Sequence, residues 1–382
     1  MSKTPGTPPP GPRPTLFAHA LRLHRTHPHR PLPRDGDPCP DDAAHRCRSG
    51  PRPPRDRRQA GRDAALILDA HFAGPRPRPG ALADAFHHVH IPVQPDASIA
   101  AAAARAPGGQ ARRTGRWLVR HGTDRCAVTV GLALVAAAGT RDDIPLIQTI
   151  GLLSNRFGPL AAHALERLPG GAEALLWLAD RVAGWGRVYV VEALCRLDDP
   201  AVRPWLLRRA CDGDHLNEYF AGKAAEAARL HDALEELGDD EELADHTGLV
   251  LRVMGGCDGM GATLAHYPHA AAALDAYVRA ARSLGPTVRR FSTTAALAQD
   301  LAVRPAEAVG CRPEQRDALR EAYVSLLDRE EWVRLARDAL AAGDARMVWL
   351  ADHRAPELRL RAFPGPPGAE PAGRRGGGET SL

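Results

Sequence analysis

His87, His88 and His90 place three imidazoles within four residues. Imidazole nitrogens bind transition metals, but the ligands must converge on one point, and side chains this close in sequence rarely do so on one helix or strand. His121, His163 and His215 lie too far along the chain for spacing to connect them with the cluster. Asp212–Tyr219 (Asp-Gly-Asp-His-Leu-Asn-Glu-Tyr) sets carboxylates beside a histidine, which suits acid–base work. The same residues also make an inter-helix loop with Asp214 capping the next helix, and that reading is preferred. Gly255–Gly261 (Gly-Gly-Cys-Asp-Gly-Met-Gly) could turn backbone N–H groups toward a phosphate. No strand precedes it, no lysine follows it, and its glycine spacing is neither the dinucleotide nor the P-loop pattern, so it reads as a tight connection. The acidic run Glu235, Glu236 and Asp239–Glu242 reads as solvated loop and helix start, not as a calcium loop.

The seven cysteines are odd in number, and no two are separated by two residues, which fits neither a disulfide framework nor a zinc knuckle. Cys39 and Cys47, with His45 between them, lie in a Pro/Arg-rich segment. No catalytic, cofactor-binding or metal-ligating set is assigned, and no cofactor is expected. There is no apolar run long enough for a membrane span and no secretory h-region, so a reducing cytoplasm is the expected setting.

The elements that would position such residues follow from composition. Residues 1–62 hold 14 Pro and 5 Gly, and 13 Lys+Arg against 5 Asp+Glu. Their only apolar cluster is Leu16, Phe17, Leu21 and Leu23, too little to offset chain entropy, so the segment is expected to be a disordered arm that the fold can lose without cost. Residues 364–382 read as a disordered tail. Arg/Pro/Gly-rich ends are also what a mis-set start or a frameshift yields in GC-rich DNA. Residues 63–363 carry 35 basic and 39 acidic side chains, so the basic pI belongs to the arm.

Residues 63–115 read as short helices and linker: 63–72 with Asp63 as N-cap, 81–89, an extended 90–95, and an Ala-rich 99–106. From Arg116 a repeat appears. Ala133–Gly139, Ala164–Gly170 and Ala193–Asp199 align, with a weaker fourth copy at Glu226–Asp232, at offsets of 31, 29 and 33 residues. Each copy ends an apolar helix at a Gly, Asp or Pro turn, and a second helix follows at 144–153, 172–182 and 201–210. Leu165 and Leu194 become equivalent core positions. Val188–Val191 also fits a buried strand, but the repeat register favours helix. Two helices per unit near a 30-residue period is the solenoid signature, giving repeats over 116–245. Further helices without a repeat are expected over 246–363, at 242–254, 270–283, 287–302, 314–327 and 329–341, the last started by a capping box at Asp328–Glu331. The fold class is all-α, a HEAT-like α-solenoid with additional C-terminal helices.

The repeats resemble the short HEAT-like units of bilin-lyase-like proteins. Through Trp117–Asp124, Ile144–Gly151, Gly184–Leu194 and Gly256–Gly261, the chain is also similar to a set of actinobacterial helical-repeat proteins, over roughly residues 110–360. That resemblance implies a fold and no site, and no residue matches a bilin-lyase catalytic motif. Stacked helix pairs build a concave surface that usually holds a peptide or protein, and a minority of the Trp and Tyr residues would anchor it. The expected role is therefore a non-enzymatic protein-interaction scaffold. The alternative is an enzyme or nucleic-acid-processing protein on a HEAT-like scaffold, such as an alkyl-base glycosylase-like protein. It needs a basic groove, yet residues 116–235 hold 14 basic against 15 acidic side chains.

Overall fold

The computed structural model describes residues 13–43, 45, 57–75, 77–86, 89–257 and 259–363. Their regular structure is all helical, with no strand among them and no helix long and apolar enough to cross a membrane. The chain divides into two compact units, residues 1–206 and 207–382. That division falls inside the stretch grouped by the repeat pattern.

The first unit contains α1 (Leu16–Thr26), α2 (Arg57–Ala73), α3 (Pro79–Ala85), α4 (Ala97–Arg105), α5 (Gln110–His121), α6 (Arg125–Ala138), α7 (Ile144–Gly151), α8 (Ser154–Glu166), α9 (Gly171–Ala179) and α10 (Gly184–Leu197). The even-numbered helices α2 to α10 pack each on the next in one row. The odd-numbered α3 to α9 form a second row, and α1 lies across α5 and α7. Sequence dictates which helix can take which place. In α5 the buried positions Ala111, Thr114, Gly115, Leu118 and Val119 follow one helical face. In α6, Ala127 to Leu132 are all buried, because neighbours cover several sides of that helix. Asp124 starts α6 by accepting the Cys126 N–H, and Gly139 stops it. α5 and α6 approach closely at two glycines: a Cβ at Gly115 would lie 2.8 Å from the Gly131 carbonyl oxygen, and one at Gly131 would lie 2.7 Å from Leu118 Cβ.

α11 (Arg203–Arg209) spans the division. The second unit contains α12 (Ala221–Ala227), α13 (Leu230–Glu235), α14 (Glu241–Gly256), α15 (Ala270–Leu284), α16 (Val288–Val303), α17 (Pro313–Leu327), α18 (Glu330–Ala341), α19 (Ala345–His353) and α20 (Ala355–Leu358). The same alternation holds here: α12, α14, α16 and α18 make one row, α13, α15 and α17 the other, and α19 and α20 close on α16. The C-terminal helices, read in sequence as lacking a repeat, thus keep the two-row packing without the repeat's residues.

The repeat copies end α6, α8 and α10, and the fourth follows from the end of α12 into α13. Leu134, Leu165 and Leu194 are each fully buried at equivalent positions. Val188–Val191 lies within α10.

Several local expectations are corrected. Residues 13–43, placed in the disordered arm, hold α1 and pack on the first unit: Leu16 and Ala20 are fully buried, and the Leu16 N–H donates to the Gly122 carbonyl. The four apolar residues noted in sequence all fall on this helix, which needs only one covered face. Residues 57–62, the end of the same segment, begin α2; residues 1–12, 44 and 46–56 lie outside the described residues, as does the tail 364–382. Asp63 is inside α2, where it accepts a bond from Gln59, and does not cap it. Asp328 does not start α18; its carboxylate accepts the Arg361 N–H instead.

Candidate functional site

His87 and His88 lie outside the described residues, and His90 is exposed. His121 stands beside Trp117, with ring centroids 5.1 Å apart, while His163 lies on α8 and His215 is exposed in the second unit. The Asp212–Tyr219 segment is a self-satisfied turn. The buried Asn217 side chain accepts the Asp212 and Gly213 N–H groups and donates to Asp212, and Asp214 caps Leu216. The Asp212 and Asp214 carboxylates therefore hold the loop.

Gly255–Gly261 packs against that turn. A Cβ at Gly261 would lie 2.0 Å from the Glu218 carbonyl oxygen, so close backbone approach explains this glycine. Asp258, in the same segment, lies outside the described residues. The acidic run is distributed over ion pairs: Glu235 with Arg279, Asp240 with Arg208, and Glu241 with Arg290. Aromatics divide as composition suggests, with Trp332 fully buried and Trp117 and Trp185 partly open on α5 and α10.

An open groove of about 390 Å³ runs along the even-numbered row of the first unit. Alanines 97, 100 and 104 of α4 face alanines 133, 136 and 137 of α6, and Ile99 and Leu160 form the buried floor. Methyl-only walls let a backbone approach closely. His163 and Arg167 line one part and Asp96 another. Burial, together with Arg167, holds the His163 imidazole below its ordinary pKa, so it is neutral at physiological pH. Asp96 is already engaged, capping α4 through the Ser98 and Ile99 N–H groups. The Arg167 guanidinium has no partner among the described residues and is exposed. Ala136, Arg167 and Arg196 occupy the same register position of the sequence repeat.

The densest polar cluster lies where the 33–45 loop meets α6 and α8. Asp35 accepts the Ser154 and Asn155 N–H groups at 2.9 and 2.7 Å, satisfying the start of α8. Asp41, fully buried, accepts the Arg125 N–H at 2.9 Å and two guanidinium bonds at 2.7 Å each. Arg156 reaches Asp37 at 2.9 Å and Asp42 at 3.3 Å. Asp41, His45 and Asp124 bring ligand atoms within 4.8 Å of one another. Arg125 already occupies both Asp41 oxygens, which marks the cluster as a docking joint. Burial pushes the Cys39 thiol up to about 11 and the Cys126 thiol up to about 12, so neither is a thiolate nucleophile at neutral pH. Sequence could not find this joint, because its partners are 84 and 119 positions apart.

Comparison with family models, with curated proteins and with solved structures finds no match to the chain. The site must therefore be read from its own geometry.

Proposed function

We propose that the protein is a non-enzymatic interaction scaffold, an α-solenoid of HEAT-like helix pairs that holds a segment of a partner protein. The observation that carries this reading is the alanine-lined groove along the even-numbered row. Solenoids offer extended surfaces of this kind to peptides and proteins. A groove walled by methyl groups admits a helix or strand backbone, while the exposed Arg167 offers an unengaged cation to a carboxylate at one end. The partner segment is therefore apolar on one face with an acidic residue beside it.

Among the described residues the groove's lining holds one arginine, no lysine and no Trp, Tyr or Phe, which does not suit a nucleic-acid platform. Its one imidazole lies beside no unengaged carboxylate, so acid–base chemistry has no pair to run on.

The test compares the full chain with its Ala136→Trp variant, which fills the groove, and with Arg167→Glu. Partners captured by the wild type and lost with both variants, at unchanged melting temperature, support the reading. Identical capture by all three proteins refutes it.

A further inference from the structure

Arg252, on α14, is a half-buried guanidinium with no side-chain hydrogen bond or ion pair among the described residues. It lines a pocket of about 380 Å³ in the second unit, together with Ser292, Ala296, Arg346, Leu350 and Arg354. Arg346, exposed at the rim on α19, also has no side-chain partner there. Arg354 is held in place by one bond to the Ala296 carbonyl at 3.2 Å and by packing over Trp349, 5.3 Å from the ring centroid.

Among the described residues, no carboxylate lines this pocket. The two that bear on Arg354 are engaged elsewhere, Asp300 with Arg304 at 3.5 Å and Glu357 with Gln299 at 2.5 Å. Burial first, and then Arg354, Arg346 and Arg289, push the Arg252 pKa down, which is the electrostatic signature of cations gathered without an anion. Removing a guanidinium from water without a partner is costly, and adding like charges beside it raises the cost. The nearby Arg290 shows the usual solution, with two carboxylates and backbone carbonyls around it. An arginine cluster left open onto a cavity, with an apolar wall of Ala296, Leu350 and a half-exposed Trp349, is instead arranged for an incoming anion. Planar guanidinium forks match phosphoryl oxygens in pairs. The cavity falls within the about 300–1,000 Å³ of small-ligand sites, so the anion belongs to a small molecule.

We propose that this pocket binds a small phosphomonoester, its phosphoryl group held by Arg252 and Arg346 and the rest of the molecule against Trp349 and Leu350. It is built from second-unit residues alone and does not depend on the reading of the first-unit groove.

The test is calorimetric titration of the full chain with AMP, ribose 5-phosphate and adenosine, with inorganic phosphate as competitor. Binding of at least one phosphomonoester, competition by phosphate and failure of adenosine are expected. A preference for AMP identifies a ring-bearing ligand, and a preference for ribose 5-phosphate a sugar phosphate; either supports the site. Arg252→Gln should weaken binding about tenfold or more, the loss of a hydrogen bond to a charged group. Arg346→Gln, exposed and so without a folding role, should weaken it in the same direction. Unliganded Arg252→Gln should melt no lower than wild type, because it removes a charge that nothing among the described residues pairs. The proposal fails if neither phosphomonoester binds, if adenosine binds as well as AMP, or if both variants keep full affinity.

Discussion

Arg125 and Asp41 form a two-pronged ion pair, Nε to Oδ2 and Nη2 to Oδ1 each at 2.7 Å, across 84 positions of sequence. Asp41 is fully buried and the Arg125 side chain is only 16% exposed, so the pair is not a surface contact screened by water. Removing one partner strands the other, which typically costs about 3–5 kcal/mol. Asp41→Ala should therefore lower the unfolding free energy by about that much, and deletion of residues 1–45 should lower the melting temperature clearly. Equal denaturant midpoints for wild type and Asp41→Ala would show that the loop does not hold the first unit.

The same pair sets an acid limit on stability. Burial alone would raise the Asp41 pKa, but the bonds from Arg125 and the charges of Arg125 and Arg156 outweigh it and hold it below the ordinary 3.8. Asp42 moves in the same direction for the same reason. A carboxyl depressed in the folded state adds stability that is fully present above its unfolded pKa and is lost as pH falls through the folded one. Asp35 runs the other way: burial outweighs its bonds from Ser154 and Asn155, its pKa is raised, and its term is fully present below the unfolded pKa and lost as pH rises through the folded one. The stability gap between wild type and Asp41→Asn should thus be complete at neutral pH and close below about pH 4. Urea unfolding of both proteins across that range measures it. A gap that stays constant to about pH 3 would mean that Asp41 is not titrating in this window.

Leu165 and Leu194 test the repeat directly. Both are fully buried, 29 positions apart, at the same register of α8 and α10. Leu→Ala at either should cost about 2–5 kcal/mol, the transfer and cavity terms together. The two values should lie close to each other, because both sites face neighbours of the same even-numbered row. Chemical denaturation of the two variants is the measurement. A large difference would mean that the alignment is coincidental.

These leucines mark what the sequence makes legible. Helix existence follows from local pattern, so α7, α9, α15, α16 and α17 fall within a residue or three of their expected bounds. Caps are less legible, because an acidic residue near a helix start can as easily serve a distant backbone group. Asp328 holds Arg361, 33 positions on, and Asp35 caps a helix 119 positions on. Composition does not show α1 because it averages over a segment, whereas α1 needs only one apolar face and a surface to cover. The Arg252 pocket is invisible in sequence for a related reason. Arg252, Ser292 and Arg346 come from α14, α16 and α19, and no spacing within one helix joins them. What makes Arg252 and Arg346 informative is that neither side chain has a partner among the described residues, and partners are a property of the fold.

Arg290 supplies the last prediction, as the counterpart of Arg252. Its side chain is fully buried, yet each polar edge is matched: Nε to Asp245 at 3.0 Å, Nη2 to Glu241 at 3.2 Å, and Nη1 to the Gly285 carbonyl at 2.6 Å. These bonds tie α14, the end of α15 and the start of α16 at one point. Asp245 is 18% exposed and would be left as a nearly buried carboxylate, while Glu241 is 64% exposed and would return to water at little cost. The Gly285 carbonyl would also lose its donor, a penalty of about 1–3 kcal/mol if water cannot replace it. Arg290→Met keeps much of the side-chain volume, so packing changes least and the stranded polar groups dominate. The expected loss is about 3–5 kcal/mol, as for other broken buried pairs. The double variant Arg290→Met, Asp245→Asn should recover part of it, because it removes the stranded charge. Unfolding free energies of the wild type, both single variants and the double variant complete the cycle. No recovery in the double variant would show that Arg290 stabilises the second unit through its carbonyl bonds and packing, not through Asp245.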